Sequence, residues 1–380
     1  MSIGFIGNGR RRRAIIAAVV GLALVAAACG DDDDDGAART AAADATTAGP
    51  SDTTGAADDT GGGEPATLRL GYFPNVTHAP AIVGVEDGIF ATALGPNVKL
   101  ELSTFNAGTD VITAMFSDAL DASFIGPNPA INGYAKSDGD AVRIVAGTTS
   151  GGAALVVSKE ITSAADLEGT TLSTPSLGNT QDVALRSWLE DQGLNTDTSG
   201  GGDVKINPQD NADTLTAFSS GAIAGAWVPE PWATRLVNEG GGHVLVDEAS
   251  LWPDGKFVTT HLIVSRQYLA DHADVIKRLI EGLGASIDQI NADPAKAEED
   301  VNAGLEKLTN KRLDDATIAG AFKNLTFTLD PIASSLQTSA EHAEAVGLLD
   351  PVDLTSPGIY DLTLLNEVLT AKGDAEAAGL

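Results

Sequence analysis

Between Leu68 and Val246 the chain alternates between two kinds of segment. Short apolar runs lie at Leu68–Tyr72, Val98–Phe105, Ala122–Ile125, Arg143–Ala146, Leu155–Val157, Thr171–Thr174, Val204–Asn207, Gly225–Val228 and Val244–Val246. Between them lie stretches of helical character at Ala79–Glu86, Thr109–Ala119, Pro129–Lys136, Thr180–Asp191, Ala212–Ser219 and Trp232–Asn238. Strands that are apolar without polar alternation are buried on both faces, and strand–helix–strand order supplies the covering helices. The pattern predicts an α/β fold with mostly parallel sheets flanked by helices. From about Arg266 only helices are expected, as at His272–Ile290, Pro294–Leu308 and Asp315–Lys323.

A faint internal repeat divides this pattern in two. Phe116-Ser117 precedes Pro127-Asn128-Pro129, and Phe218-Ser219 precedes Pro229-Glu230-Pro231 at the same spacing. Thr77-His78 and Thr180-Gln181 open helices at corresponding places. Two similar lobes with ligand-facing loops in equivalent positions would produce this; so would coincidence among low-information residues.

The N-terminus carries different information. Arg10 to Arg13 precede an apolar run from Ala14 to Ala28, too short to span a bilayer, and Cys29 follows. A basic block, an apolar core and small residues before a break read as an export signal. Ala26-Ala27-Ala28-Cys29 resembles the lipobox of bacterial lipoproteins, with Ala26 where leucine is usual; an ordinary signal peptide is the alternative. Cys29 is the one cysteine in 380 residues, so acylation there leaves no intrachain disulfide, and the core must hold by packing. From Asp31–Asp35 to about Ala66 the sequence is almost entirely Ala, Asp, Thr and Gly. Such a segment buries too little to offset ordering entropy and is expected to be a disordered tether with a reach of roughly 30–35 Å. Loss of the first 28 residues would take formal net charge from −30 to −34, which argues against a nucleic-acid partner.

In open parallel sheets ligands bind beyond the carboxyl ends of the strands, where helices begin. The corresponding loops here are rich in donors and poor in lysine and arginine. They are Pro74-Asn75-Val76-Thr77-His78, Asn106-Ala107-Gly108-Thr109, Gly126-Pro127-Asn128-Pro129, Gly147 to Gly152 with Thr149, and Ser176-Leu177-Gly178-Asn179-Thr180-Gln181. Helix starts contribute ~0.3–1 kcal/mol each to holding an anion, and hydrogen bonds to a charged group roughly 1.5–3 kcal/mol each. Several together reach ~8 kcal/mol, about micromolar affinity. Ordinary helix capping explains any one such loop; five of them point to a shared pocket. Trp227-Val228-Pro229-Glu230-Pro231-Trp232 reads two ways. The indoles wall a ligand and Glu230 accepts from an ammonium, or the indoles are core and Glu230 caps a helix. His78 and His261 are further candidate donors to an anion. No metal site, cofactor motif, serine elbow, catalytic cysteine or carboxylate pair is evident, so no enzyme is expected.

The segments Gly71-Tyr72-Phe73-Pro74-Asn75, Gly126-Pro127-Asn128-Pro129, Gly178-Asn179-Thr180-Gln181-Asp182 and Trp227–Trp232 together resemble the sulfonate/nitrate/taurine-type solute-binding proteins of ABC importers. That resemblance implies a two-lobed, type II periplasmic-binding-protein-like fold with extra C-terminal helices. Residues 1–28 would be the lipoprotein signal peptide and 29–66 the tether. Residues 67–151 plus 259–380 would form lobe 1, and 152–258 lobe 2, with crossovers near Gly151-Gly152 and Val258-Thr259-Thr260. It implies a monomer anchored through Cys29 to the outer face of the cell membrane, serving an ABC permease and its ATPase. The solute would be a small anion such as an alkanesulfonate, taurine, nitrate or bicarbonate. By resemblance the ligand loops place Asn75, Thr77, His78, Asn106, Gly108, Gly126, Asn128, Asn179, Thr180 and Trp227 at the site. The residue reading adds Thr149, Gly178, Gln181, Glu230 and Trp232. The alternative ligand is a heterocycle or amine such as a thiamine pyrimidine precursor, held by Trp227, Trp232 and Glu230, and the rival class is an enzyme on this fold.

Overall fold

A computed structural model describes residues 64–380. The expected signal peptide, Cys29 and the tether up to residue 63 lie outside the described residues. The described residues open with β1 (Ala66–Tyr72), α1 (Ala79–Glu86), α2 (Ile89–Leu94), β2 (Val98–Thr104), α3 (Gly108–Phe116), β3 (Ala122–Ile125), α4 (Pro127–Lys136) and β4 (Val142–Gly151). They continue through β5 (Ala153–Val157), β6 (Thr171–Thr174), α5 (Thr180–Asp191), β7 (Lys205–Pro208), α6 (Asn211–Ser219), β8 (Gly225–Pro229), α7 (Trp232–Asn238) and β9 (His243–Asp247). Then come β10 (Val258–Ser265), α8 (Arg266–Asp271), α9 (Ala273–Ala292), α10 (Pro294–Thr309), α11 (Asp315–Lys323), β11 (Leu325–Phe327), α12 (Ala333–Ala345) and α13 (Thr363–Lys372).

The strands make two sheets, in the orders β11-β4-β10-β3-β1-β2 and β7-β6-β8-β5-β9. Each is mixed. β1 runs parallel to β2 and β3, and β6 parallel to β7 and β8. Antiparallel pairing enters at β4, β5 and β10. The sheets are thus less parallel than the local pattern implies, because strand direction is set by distant partners. β4 passes into β5 through Gly151 and Gly152, at φ +82° and +73°, a conformation that side chains disfavour. An added Cβ on Gly151 would also sit 2.7 Å from the Asn324 carbonyl oxygen.

Two strand expectations change. The Gly147–Gly151 loop is the end of β4, paired through Thr149, Ser150 and Gly151 to β11. The Val258–Thr260 crossover is the start of β10, a central strand between β3 and β4. β11 likewise interrupts the expected all-helical C-terminal region. Each of these is stabilised by partners more than 100 residues away, so a local pattern carries little trace of it.

The first sheet is covered by α1 and α9. Val275, Ile276, Leu279, Ile280, Leu283, Ile287 and Ile290 recur at three- and four-residue steps along α9 and are buried together with Leu68, Leu70, Ile82 and Phe124. That spacing puts them on one helical face. The second sheet has its own core on both sides, one around Leu155, Leu172, Leu185 and Trp227, the other around Val156, Phe218, Val228 and Leu236.

Candidate functional site

Loops from both sheets meet around a cavity of about 40 Å³. From the first sheet come Phe73, Asn75, Thr77 and His78 after β1, Asn106, Ala107 and Gly108 after β2, Gly126 and Pro129 after β3, and Thr259 and Thr260 of β10. From the second come Pro175, Asn179, Thr180 and Gln181 after β6, Asn211 after β7, and Pro229 at the end of β8. Helices α3, α4, α5 and α6 all begin here. Their first-turn N–H groups have no carbonyl within their own helix, and each helix start carries partial positive charge. The lining contains no lysine, arginine, aspartate or glutamate.

The wall is tied together by named bonds. Thr149 Oγ1 donates to the Thr77 carbonyl at 2.7 Å and Thr260 Oγ1 does so at 3.2 Å. Both threonines therefore hold the β1 loop. Asn179 caps α5, its Oδ1 accepting from the Asp182 amide at 3.0 Å and its Nδ2 donating to Gln181 Oε1 at 3.1 Å. Gln181 is thereby turned to present Nε2. That amide and the hydroxyls of Thr77 and Thr180 have no partner among the described residues.

His78 is buried and stacks on Phe73 with ring centroids 4.4 Å apart. Its Nδ1 accepts from the Phe73 amide at 3.3 Å, which leaves the proton on Nε2. Burial pushes its pKa from 6.5 to about 3, so the ring serves as a neutral donor. Desolvation likewise lowers His261 to about 4. His261 sits within the first sheet, 3.0 Å from the Pro331 carbonyl oxygen, and does not line the cavity.

Beneath the α5 start lies a pair that sequence reasoning missed. Asp182 accepts from Thr174 Oγ1 at 2.8 Å, the Gly178 amide at 2.9 Å and Arg186 Nε at 3.0 Å. Arg186 also donates to the Asp197 carbonyl at 2.7 Å. Asp182 and Arg186 are 0% and 1% exposed. Asp182 thus shapes the 178–181 loop while Arg186 neutralises its charge close to the cavity. Gly178, at φ +73°, supplies an amide to that carboxylate and is not itself in the lining. An Asp and an Arg four apart on a helix ordinarily mark a solvated face, so nothing in the sequence distinguished this pair.

Across the cleft, Trp232 Nε1 donates to Asn75 Oδ1 at 2.9 Å, and Asn106 Nδ2 to Asp210 Oδ2 at 3.4 Å. Thr180 Oγ1 lies against Gly126 so closely that a Cβ there would come within 2.5 Å of it.

Six expected residues lie outside the lining: Gly178 and Thr149, the latter spending its hydroxyl on the Thr77 carbonyl behind the wall, and four more. Asn128 is buried and donates to the Ser339 carbonyl at 3.0 Å, tying α4 to α12. Trp227 is fully buried; its Nε1 donates to Glu248 Oε2 at 2.7 Å and its ring meets Trp188. Burial raises the Glu248 pKa to about 7. Glu230 is also buried, its pKa raised by desolvation. Its carboxyl accepts from the Thr234 amide and hydroxyl and from Asn324 Nδ2 at 2.7 Å. The acceptor that an ammonium ligand would need is therefore engaged by protein donors. Trp232 reaches the cavity wall only through its bond to Asn75, with the Arg235 guanidinium 4.5 Å over its ring. Sequence reasoning had also passed over Phe73, Pro175, Asn211, Thr259 and Thr260 of the lining. The threonines belong to β10, which was not foreseen as a strand.

The two buried histidines set an acid limit on stability. Their folded pKa values lie below the ordinary 6.5, so the unfolded chain binds more protons between pH 6.5 and about 4. Their contribution is intact above pH 6.5 and lost as pH falls, at up to ~1.4 kcal/mol per histidine per pH unit. Urea midpoints are expected to fall across this window, and His261→Gln to flatten the fall. An acid limb unchanged by that substitution would refute the assignment.

The model of the NMT1-like family matches residues 61–303. The bicarbonate transport ATP-binding protein CmpC of Synechocystis sp. is 26% identical over 235 residues, covering 57% of this chain and 35% of that protein. The taurine-binding periplasmic protein of Escherichia coli is 26% identical over 198 residues, covering 52% and 59%. The chain therefore spans about a third of the first relative's length and less than two thirds of the second's. The solved structure of the alkanesulfonate-binding protein SsuA from Xanthomonas axonopodis pv. citri, bound to MOPS, matches with a TM-score of 0.66 at 19% identity, covering 78% of this chain and 98% of that one. The architecture is that of periplasmic binding proteins. By its match over more than half its length, the chain belongs to the NMT1-like family.

Proposed function

We propose that this chain is the extracytoplasmic solute-binding component of an ABC importer, taking a small anion into the cleft between its two sheets and delivering it to a permease driven by a separate ATPase. One observation carries the reading. A cavity walled from both sheets offers helix starts, hydroxyls, an amide and a neutral imidazole, with no ionised side chain in its lining. Dipoles and uncharged donors stabilise an anion without a tight ion pair, which leaves release feasible. The named relatives, a bicarbonate transport protein, a taurine-binding protein and an alkanesulfonate-binding protein, agree with an oxyanion. The lining holds no cysteine, serine or carboxylate to serve as nucleophile or as partner to His78, which supports binding over catalysis.

In this reading residues 67–151 plus 259–380 and residues 152–258 are lobes that rotate about Gly151-Gly152. The chain acts as a monomer held to the outer face of the cell membrane through acylated Cys29. Among the described residues no helix is long and apolar enough to cross a membrane.

Isothermal titration with nitrate, bicarbonate, taurine and methanesulfonate tests the ligand class. At least one is expected to bind with a Kd of about micromolar order. Absence of heat from all four, together with binding of an organic cation, would overturn the anion reading.

A further inference from the structure

Helix α7 packs on the second sheet and α11 on the first. Ala233 and Leu236 of α7 are buried with Val156 and Val228, and Ile318, Ala321 and Phe322 of α11 with Leu68, Val264 and Leu283. Each helix thus turns its apolar face to its own side of the cleft, and the two meet through their remaining faces. Asn324 Nδ2 donates to Glu230 Oε1 at 2.7 Å, a Cβ on Gly320 would lie 3.0 Å from Thr234 Cγ2, and Asn238 Nδ2 donates to Thr317 Oγ1 at 3.2 Å. Positions 230, 234 and 238 follow at four-residue steps, and 324, 320 and 317 run against them at steps of four and three, so each set lies along one helical face. The contact is an antiparallel seam of three rungs, continued by Lys311 Nζ at 3.5 Å from Glu239 Oε2.

The composition of this seam separates it from the cores on either side. Permanent interfaces are rich in apolar area, whereas contacts between bodies that move are more polar. Amides, hydroxyls, a carboxylate and one glycine can part into water and be rehydrated; apolar faces cannot do so cheaply. Position adds leverage. The Glu230 amide donates to the Gly152 carbonyl at 2.8 Å, so the first rung lies at the glycine pair. Asn238 is eight residues further on, roughly 12 Å at helical rise. Between them Trp232 Nε1 donates to Asn75 Oδ1, and Asn75 lines the cavity. Rotation about the glycines therefore breaks the outer rungs and pulls on the cavity wall.

We propose that the α7–α11 seam is a clasp that closes the cleft without solute: it holds part of the ligand-free population closed and thereby sets the apparent affinity of a cavity it does not touch. The inference rests on the two-lobe reading above. When a solute binds only the closed arrangement, its apparent Kd is the intrinsic value divided by the closed fraction. Asn238, Gly320 and Asn324 are then positioning residues, and none of them lines the cavity.

Two variants test the clasp. Gly320→Leu places bulk against Thr234, and leucine favours a helix more than glycine does, so α11 itself is not weakened. Asn238→Ala/Asn324→Ala removes two rungs at exposed positions, each bond contributing about two- to twelvefold. Small-angle scattering of the ligand-free full chain is followed by titration with nitrate, bicarbonate, taurine and methanesulfonate. Both variants are expected to show a larger ligand-free radius of gyration than the parent. For whichever anion the parent binds, the apparent Kd is expected to weaken at least fivefold, through faster dissociation, with urea midpoints close to the parent's. Equal ligand-free radii in all three proteins would overturn the clasp, whether or not any anion binds. Larger radii with unchanged Kd would overturn its control of the site. Larger radii with no anion bound even by the parent would support the clasp and overturn the anion reading.

Discussion

Replacing Arg186 by alanine is expected to destabilise the fold by about 3–5 kcal/mol, the usual cost of removing one partner from a buried ion pair. The reason is what remains. Asp182 is fully buried, and without Arg186 its carboxylate keeps only the Thr174 hydroxyl and the Gly178 amide as side-chain-directed donors. Burying an unpaired charge costs far more than the pair contributes. The double variant Asp182→Asn/Arg186→Ala removes both charges and is expected to recover a good part of the loss. Urea unfolding of the three proteins decides it. A single variant as stable as the parent would show that the pair is solvated and that the 178–181 loop is held by other means.

The second large effect is on closure. Gly126 has an ordinary backbone conformation, φ −72° and ψ 160°, so alanine there is not disfavoured by backbone strain. Its Cβ instead meets Thr180 Oγ1, on the opposite side of the cleft, at 2.5 Å. Packed interiors do not absorb such a contact without displacement. Gly126→Ala is expected to hold the two sheets further apart and weaken anion binding at least tenfold, with urea stability close to the parent's. Small-angle scattering should show no compaction on adding ligand. In Gly126→Ala/Thr180→Ala the obstructing oxygen is gone, and compaction should return even though a donor has been lost. Normal compaction of the single variant would mean that these residues do not meet in the bound state.

Both predictions concern residues that the sequence treats unequally. Thr180 and Gly126 were recognisable because each stands at a strand-to-helix junction, where local turn chemistry and fold topology agree. For the same reason Asn75, Thr77, His78, Asn106, Gly108, Asn179 and Gln181 were named from the sequence and all line one cavity. Arg186 was invisible because its importance is a matter of burial, and a buried charge has the same letter as an exposed one. Trp227 and Glu230 illustrate the converse. Their dense motif read equally as ligand contact or as core and helix cap, and the bonds follow the second reading: Trp227 is bonded to Glu248 and Glu230 to Thr234 and Asn324. A cluster of aromatic and acidic residues looks alike in sequence whether its polar atoms serve a ligand or each other.

The sequence by itself determined the α/β class, the alternation of strands and helices as far as β9 except for α2, and the polar character of the loops at the strand ends. These follow from periodicity and capping, which act over a few residues. Only the tertiary structure decided the mixed direction of the sheets, the central place of β10, the pairing of β11 with β4, and which donors remain free at the cavity. The pairings of β10 and β11 join groups more than 100 residues apart, and no local pattern encodes which strands will meet.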